Sequence, residues 1–385
     1  MKVVAVTIPL FGHFHPMLPL ARALVEAEHE VLFITSHDFA PRVRTAGFDV
    51  REAGPTFIEA RDQVKRLFPN IGSWQRGFTM FAKFFAPAVT PSVIEISKHW
   101  GANLIFHETT ALSAPLAAAK LGIACVEQSF GLARPARIRD LGADLVVDLW
   151  KEYGVDPETL RYRDLYIDVC PPTLQSTDIE DLGSTALMRP IAMDATGEKL
   201  TDSLNSLPNS KTVYVTLGTV FNENLDLFSW ILDAVRDLPV NVILTLGLEG
   251  DPSRFGPQPP NVLIEKYIPQ SLVFERCDVV VCHGDSGTML SALAMGLPLL
   301  MLPQGADQFM NSAACVAAGV ALSLEGDEQN ADRIRTCIEH LLADPTFRQK
   351  AKLLQTEIAE MPAASTLVPT LENLAQKPRP LSHGR

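Results

Sequence analysis

A glycine-rich turn separates a strongly apolar run from a helical pattern in the second half of the chain. Residues 279–282 (VVVC) have the composition of a buried strand, and residues 283–288 (HGDSGT) follow directly. Such a turn at a helix start presents free backbone N–H groups and the positive end of the helix dipole at one point. This arrangement suits a phosphate or diphosphate, with the side chains of His283 and Thr288 as further donors. Glycine could also serve only the turn geometry, and the turn alone leaves both interpretations open.

Two adjacent polar residues, Asp307 and Gln308, follow the next apolar run at residues 299–301. They would lie at the carboxyl end of a strand, where open α/β sheets bind ligands. A carboxylate and a carboxamide side by side can accept from and donate to neighbouring sugar hydroxyls. Asp307 has a competing structural role as the N-cap of the following helix, but that role leaves Gln308 unexplained.

His13 and Glu108 follow two apolar runs in the first half of the chain. His13 lies in the segment GHFHP (residues 12–16), between the first apolar run and the first helical pattern, and Glu108 lies just beyond residues 103–106. A structural histidine is the plain alternative, but an imidazole at a strand end suits a general base. A carboxylate at the same edge would hold the imidazole tautomer and balance the charge when His13 takes a proton.

The segment from residue 55 to residue 100 is unusually aromatic. Its aromatic residues include Phe57, Phe68, Trp74, Phe78, Phe81, Phe84 and Phe85. Core packing of one or two helices is one explanation. The functional interpretation is that Trp74, Phe78 and Phe81 line a pocket for a flat apolar ligand, because aromatic rings supply a large contact area at low entropic cost.

Short apolar runs alternate with helical patterns in both halves of the chain, and such a scaffold would place these residues. Strand-like runs occupy residues 3–8, 31–35, 48–51, 103–106, 123–126, 212–216, 241–246, 262–264, 279–282 and 299–301. Continuous apolar strands between helices predict parallel sheets covered on both faces. The polar stretch 177–209 predicts the approach to a linker. We therefore expect an α/β protein with two doubly wound, Rossmann-like domains facing across a cleft, at residues 1–205 and 206–362, followed by the C-terminal segment 363–385.

Composition excludes several classes of protein. The 385 residues are 47% hydrophobic and 20% charged, which is typical of a globular protein and not of a disordered or fibrous chain. The net charge of −12 argues against binding nucleic acid or anionic lipid, and it would also repel an anionic small molecule unless a local site overrides it. The start of the chain reads as a strand rather than a signal peptide, and no apolar run reaches the length of a membrane span. We expect a cytoplasmic protein.

Three familiar motifs are rejected or missing. The sequence GDSG (residues 284–287) resembles the nucleophile segment of trypsin-like proteases, but that fold is all-β, so Ser286 is not assigned as a nucleophile. Neither G-x-G-x-x-G nor G-x-x-x-x-G-K-[ST] occurs, which disfavours an NAD-dependent enzyme and a P-loop. Six scattered cysteines without a C-x-x-C pair predict reduced thiols and no metal site.

Together these motifs resemble the GT-B nucleotide-sugar glycosyltransferases of the UDP-glycosyltransferase type (family GT1), and in particular the bacterial branch that acts on natural products. The resemblance covers nearly the whole chain and is strongest over residues 267–322; it includes CPPTL (170–174) and FHETT (106–110). It implies that His13, in the family's His-x-x-Pro position, deprotonates the acceptor, with Glu108 in the place of the usual Asp. The donor-binding residues that it implies are Thr219, His283, Ser286, Gly287 and Thr288 near the diphosphate, Tyr267 on the nucleobase, and Asp307 and Gln308 on the sugar.

The resemblance also implies the activity. We expect an inverting, metal-independent transfer of a sugar from a dTDP- or UDP-sugar to an apolar, polycyclic acceptor, with no cofactor besides the nucleotide sugar. The first domain would bind the acceptor, the second would bind the donor, and the last helix would return to the first domain. Asp285 replaces a common Gly and places a carboxylate beside the proposed diphosphate. Ser291 replaces a Glu that grips ribose hydroxyls, and this second departure makes a dTDP-deoxysugar an alternative to a UDP-sugar. A GT-B epimerase and a non-catalytic partner of a transferase are the alternative functions, and a homodimer is compatible with the sequence.

Overall fold

The structure, a computed structural model, describes residues 1–156, 163–191, 204, 206–218, 225–247 and 250–377, without the side chains of 73, 74 and 225. It divides into two compact units. The first contains Met1–Cys170, Gln175–Arg189 and the described residues from Met361 onward, and the second contains Pro171–Leu174 and the described part of Pro190–Glu360. The first domain was expected to extend to residue 205, whereas the described residues between Pro190 and Glu360 belong to the second unit.

The first unit is built on a seven-stranded parallel sheet in the order β3-β2-β1-β4-β5-β6-β7. The strands are β1 Lys2–Val6, β2 Glu30–Thr35, β3 Asp49–Glu52, β4 Leu104–Glu108, β5 Ala124–Gln128, β6 Leu165–Asp168 and β7 Thr185–Leu187. The helices are α1 Phe11–Phe14, α2 Leu18–Glu26, α3 Ala40–Thr45, α4 Phe57–Leu67, α5 Ser73–Met80, α6 Ala86–Trp100, α7 Ser113–Leu121 and α8 Ala136–Glu152. Because β1, β4 and β5 are buried almost throughout, their apolar runs are continuous, as in sheets covered on both faces.

The second unit repeats the architecture with a six-stranded parallel sheet in the order β10-β9-β8-β11-β12-β13. The strands are β8 Thr212–Thr216, β9 Asn241–Thr245, β10 Val262–Glu265, β11 Val279–Cys282, β12 Leu299–Met301 and β13 Ala321–Ser323. The helices are α9 Leu225–Val235, α10 Gln270–Phe274, α11 Ser286–Ala294, α12 Gln308–Ala317, α13 Ala331–Ala343 and α14 Pro345–Glu360. The prediction of two doubly wound α/β domains is confirmed.

The last helix, α15 (Val368–Gln376), belongs to the first unit. A 3-10 turn at Ala364–Leu367 precedes it and packs against α2. The Glu372 carboxylate of α15 lies 2.9 Å from His29 Nε2. The last helix, which the family resemblance implied would return to the first domain, therefore packs on the first unit.

A long helical run connects the aromatic segment to the sheet. Residues Phe81–Phe85 form a π-helical turn between α5 and α6, so that Gln75–Trp100 is continuous over 26 residues. By length and composition alone this run could cross a membrane, and 44% of its most apolar window is buried inside the protein. Its second half, α6, packs against α7 in the core of the first unit. Core helices of soluble proteins can have the same length and composition, so the run is weak support for a membrane span.

Candidate active site

The carboxyl ends of β1 and β4 bring His13 and Glu108 together. The two strands are neighbours, with Val6 opposite His107, and α1 carries His13 directly beyond β1. His13 Nδ1 lies 3.2 Å from Glu108 Oε2 and 3.0 Å from the hydroxyl oxygen of Thr110. Sequence analysis predicted the first two residues at this edge and missed Thr110, although its position two residues after Glu108 was a usable signal.

Hydrogen bonds hold the Glu108 carboxylate in place. It accepts from the Thr110 backbone N–H at 2.7 Å and from the Thr110 hydroxyl at 2.8 Å, and the Ile8 N–H lies 3.4 Å away. Burial of this side chain, which is only 1% exposed, raises the pKa of Glu108. The neighbouring His13 and the Thr110 hydrogen bonds outweigh burial and bring the pKa below its ordinary value, so the carboxyl group stays ionised at neutral pH.

The tautomer of His13 follows from these contacts. Nδ1 faces a carboxylate and a hydroxyl whose own hydrogen goes to that carboxylate, so Nδ1 carries the proton and donates it. Nε2 then carries the lone pair and can accept a proton. The side chain is 14% exposed, which leaves it reachable by a small-molecule hydroxyl.

Aromatic rings flank the imidazole. The His13 ring lies 4.8 Å from the Phe130 ring and 5.8 Å from the Phe81 ring, which belongs to the π-helical turn. Phe78, on α5, makes its ring contact with Arg134 instead of His13: the Arg134 guanidinium lies 5.3 Å from the centre of the Phe78 ring. The Trp74 side chain lies outside the described residues. Sequence analysis missed Phe130, whose position just after β5 at the same sheet edge was the available signal.

The loop that carries Phe130 is fixed by a partly buried polar network. Gln175 accepts from the Ala133 N–H at 2.9 Å and donates to both oxygens of Asp168 at 2.9 Å. Asp168 ends β6, and burial raises the pKa of this carboxyl group. The network ties the loop after β5 to the end of β6, which holds Phe130 beside His13.

In the second unit, the glycine-rich turn lies between β11 and α11 and places His283 beside the loop after β8. Gly218 has a φ of +74°, and a Cβ atom there would lie 2.6 Å from the His283 ring. Gly284 has a φ of +89°, and a Cβ atom would lie 3.0 Å from the Ser312 hydroxyl. The turn therefore requires glycine for its geometry, and it also leads into a helix start that can bind an anion. Thr219 lies outside the described residues.

Asp285 caps α11 with its own side chain. Its Oδ2 accepts from the Thr288 N–H at 3.4 Å, and its Oδ1 lies 3.4 Å from His283 Nε2. A Cβ atom added at Gly287 would lie 3.3 Å from the same carboxylate. The carboxylate thus turns into the first turn of the helix, the place at which the sequence predicted a diphosphate.

Asp307 lies at the N-cap position of α12 but makes no capping hydrogen bond. Its Oδ2 accepts from the Ser286 hydroxyl at 2.9 Å and from the Asn311 amide at 3.2 Å. Asn311 also donates to the Gly284 carbonyl at 2.9 Å. These contacts join the start of α12 to the glycine-rich turn.

Gln308 has a structural function that the sequence did not reveal. Its side chain is 1% exposed, and its Oε1 accepts from the Gln304 N–H at 2.7 Å and the Gly305 N–H at 3.0 Å. The oxygen expected to contact a sugar hydroxyl thus holds the loop before α12. The sugar contact of Gln308 stays a prediction that rests on its amide nitrogen.

Thr288 and Tyr267 occupy two further positions of the predicted donor site. The buried Thr288 hydroxyl accepts from the Gln270 amide at 3.2 Å, so the start of α10 is joined to the first turn of α11. Tyr267 follows β10, and 44% of its surface is exposed. Within the described ranges there is no group of three or more His, Cys, Asp or Glu residues that could hold a metal ion.

Profiles of two domains from one family match most of the chain. The N-terminal domain of "Erythromycin biosynthesis protein CIII-like" proteins matches residues 22–218, and the C-terminal domain of the same family matches residues 229–374.

Individual relatives align over nearly their whole length. The chain is 27% identical to the L-demethylnoviosyl transferase of Streptomyces niveus, with 99% of this chain and 100% of that protein covered. It is also 27% identical to the elloramycin glycosyltransferase ElmGT of Streptomyces olivaceus, with 96% and 97% covered.

Solved structures share the two-unit fold. The glycosyltransferase SnogD from Streptomyces nogalater superposes with a TM-score of 0.82 at 28% identity, covering 97% of this chain and 99% of that one. The spinosyn rhamnosyltransferase SpnG, complexed with thymidine diphosphate, gives a TM-score of 0.83 at 24% identity, covering 97% and 100%.

Proposed function

Because the chain belongs to the erythromycin biosynthesis protein CIII-like family, within the GT1 natural-product glycosyltransferases of bacteria, we propose that it is an inverting glycosyltransferase that moves a sugar from a dTDP- or UDP-sugar to an apolar, polycyclic acceptor. The observation that carries the proposal is the His13–Glu108–Thr110 network, which leaves a proton-accepting nitrogen between aromatic rings.

The reaction begins at His13 Nε2. The acceptor hydroxyl gives its proton to Nε2 as its oxygen attacks the anomeric carbon from the side opposite the leaving group, so the configuration inverts. The bond from the anomeric carbon to the diphosphate oxygen breaks, and the electron pair leaves with the nucleoside diphosphate. The ionised Glu108 balances the positive charge that His13 gains.

The second unit would hold the leaving group. The first turn of α11 supplies backbone N–H groups at a positive helix end, and His283 and Thr288 adjoin it. None of the residues proposed at the diphosphate is Lys or Arg. The donor would therefore be held by local dipoles, hydroxyls and one imidazole, against a net charge of −12.

One position on α11 bears on which base and which pentose the donor carries. Ser291 stands where the family resemblance places a Glu on the ribose hydroxyls, and a serine cannot grip both hydroxyls as a carboxylate does. SpnG, which has the same fold, is complexed with thymidine diphosphate. Both points favour a dTDP-sugar, and thermal-shift measurements with dTDP and UDP at equal concentration would rank the two, because bound ligand stabilises by RT ln(1 + [L]/Kd).

The proposal is tested by a transfer assay. The protein is incubated with dTDP- and UDP-sugars and a panel of polycyclic phenols, products are detected by mass, and the anomeric configuration is read by NMR. We expect a product heavier by one sugar residue, with inverted configuration, and no conversion of the donor into its epimer when acceptor is left out. Retained configuration, or no transfer from any donor, would contradict the proposal.

A further inference from the structure

Arg134 places a positive charge against the aromatic rings near the proposed base, His13. Its guanidinium lies 5.3 Å from the Phe78 ring and 5.8 Å from the Phe130 ring, and it donates to the Thr109 hydroxyl. Phe130 is the ring that also contacts His13 at 4.8 Å, and Thr109 stands between Glu108 and Thr110 in the chain. The cation is therefore next to the site at which an acceptor would be deprotonated.

The contacts of Arg134 are all with neutral groups. Across the described ranges no carboxylate forms an ion pair with it. Its side chain contacts two rings and the Thr109 hydroxyl, and it also interacts electrostatically with the phenol of Tyr166. Ring contacts stabilise a guanidinium but leave most of its N–H donors without an acceptor. A partly buried cation with spare donors is costly unless a ligand supplies the missing acceptor.

Hydrogen bonds also fix the backbone that carries the guanidinium. The Arg134 carbonyl accepts from Arg139, and Ala133, the residue before it, donates to Gln175 at 2.9 Å. Arg134 thus lies on a fixed loop, with its planar group over the rings of Phe78 and Phe130. A guanidinium fixed in this way matches the two oxygens of a carboxylate.

We propose that Arg134 binds an anionic oxygen group, such as a carboxylate, on an otherwise apolar aromatic acceptor. The inference rests on the proposed function, because it places the acceptor beside His13, and it adds the acceptor's charge to that proposal. A local cation is needed for such an acceptor, because the net charge of −12 would repel it. Arg134 would orient the acceptor and would select acidic acceptors over neutral ones of the same shape.

The test compares two probes that differ only in charge, 6-hydroxy-2-naphthoic acid and its methyl ester, by equilibrium dialysis against the full chain. Wild-type protein should bind the acid roughly ten- to hundredfold more tightly than the ester, the range that a charge-assisted hydrogen bond confers. Arg134→Gln should bring this ratio near one while ester binding stays within about threefold. Arg134→Lys should keep part of the preference, because it keeps the charge and loses the planar fork.

Arg137→Gln is the matched control, because it removes the same charge from an exposed residue of neighbouring α8 and should keep the wild-type ratio. Equal binding of acid and ester by the wild type, or no saturable binding of the acid up to millimolar concentration, overturns the proposal. So does a parallel loss of both ligands in Arg134→Gln, which would mean that Arg134 only supports the loop. Dialysis needs neither donor nor turnover, so failure of sugar transfer with an intact acid preference would count against the proposed function alone.

Discussion

Asp285 places a carboxylate where the proposed donor would bring a diphosphate. The side chain caps α11 through the Thr288 N–H at 3.4 Å and lies 3.4 Å from His283 Nε2. We predict that Asp285→Asn tightens the binding of a nucleoside diphosphate. Asn is as good an N-cap as Asp, so the substitution removes the charge and keeps the helix start.

The magnitude follows from Coulomb's law. A carboxylate about 5 Å from one phosphate charge is repelled by about 0.8 kcal/mol in bulk water and by about 3 kcal/mol at an effective dielectric constant of about 20. The Asp285 side chain is 33% exposed, so solvent screening places the effect near the lower value. We expect a gain of about 1 kcal/mol in binding free energy, or roughly fivefold in Kd.

The assay is calorimetric titration of dTDP and UDP into wild type and variant at low ionic strength and again at high salt. The difference between the two proteins should shrink in high salt, because added ions screen the repulsion. Asp332→Asn is the matched control: it removes an exposed acidic residue from the first turn of α13 and should leave Kd unchanged.

Unchanged affinity of Asp285→Asn at low salt would refute this reasoning, because the carboxylate would then not face the diphosphate. Weaker binding would refute it in the opposite sense. In that case Asp285 would support donor binding through its contact with His283, and that contact would be part of the site.

Three further predictions concern Glu108 and Tyr267. Glu108→Gln should lower kcat by about a hundredfold or more, because the imidazolium loses its counter-charge, and this is measured by single-turnover transfer. Because the folded protein holds the pKa of Glu108 below its ordinary 4.5, this carboxylate stabilises the fold above that pH and the stabilisation is lost as pH falls through the folded pKa. As the pH falls below 4.5, the free energy of unfolding measured with urea should therefore decrease more for wild type than for Glu108→Gln. An equal decrease in both proteins would contradict an ionised Glu108. Tyr267→Ala should raise the Kd of dTDP or UDP by roughly ten- to hundredfold, the value of one base stacked on an aromatic ring, and leave pyrophosphate binding unchanged. A parallel loss for pyrophosphate would place the ring elsewhere than on the base.

The sheets were predictable because a parallel strand buried on both faces is a continuous apolar run. Strands β1, β8 and β11 have this composition, and the structure places each of them inside a sheet. Strands β6 and β7 gave no such signal, because β7 has only three residues and β6 ends in the buried carboxylate of Asp168. Their place in the sheet depends on the pairing of β6 with β5 and of β7 with β6, which spacing along the chain does not show.

The candidate base was predictable for a similar reason. His13 and Glu108 each follow a recognisable strand, and neighbouring parallel strands bring their carboxyl ends to one edge. Phe130 and Arg134 were not found, because their positions depend on a hydrogen bond between Ala133 and Gln175, which are far apart in sequence.

The orientation of Gln308 was also beyond the sequence. Its residue type suits a sugar hydroxyl, but the backbone amides of the preceding loop take up its oxygen. Residue type and strand position identified where the polar groups lie, and only the packing around each one determines what it contacts.

The central claim is that His13 accepts the proton of the acceptor hydroxyl in a sugar transfer. The most direct measurement is the transfer rate of His13→Ala at saturating donor and acceptor, together with its affinity for dTDP or UDP. We predict a rate at least about a hundredfold below wild type with unchanged nucleotide affinity, and near-normal transfer by His15→Ala, which changes a histidine two residues further along. A His13→Ala rate within a few-fold of wild type would contradict the claim.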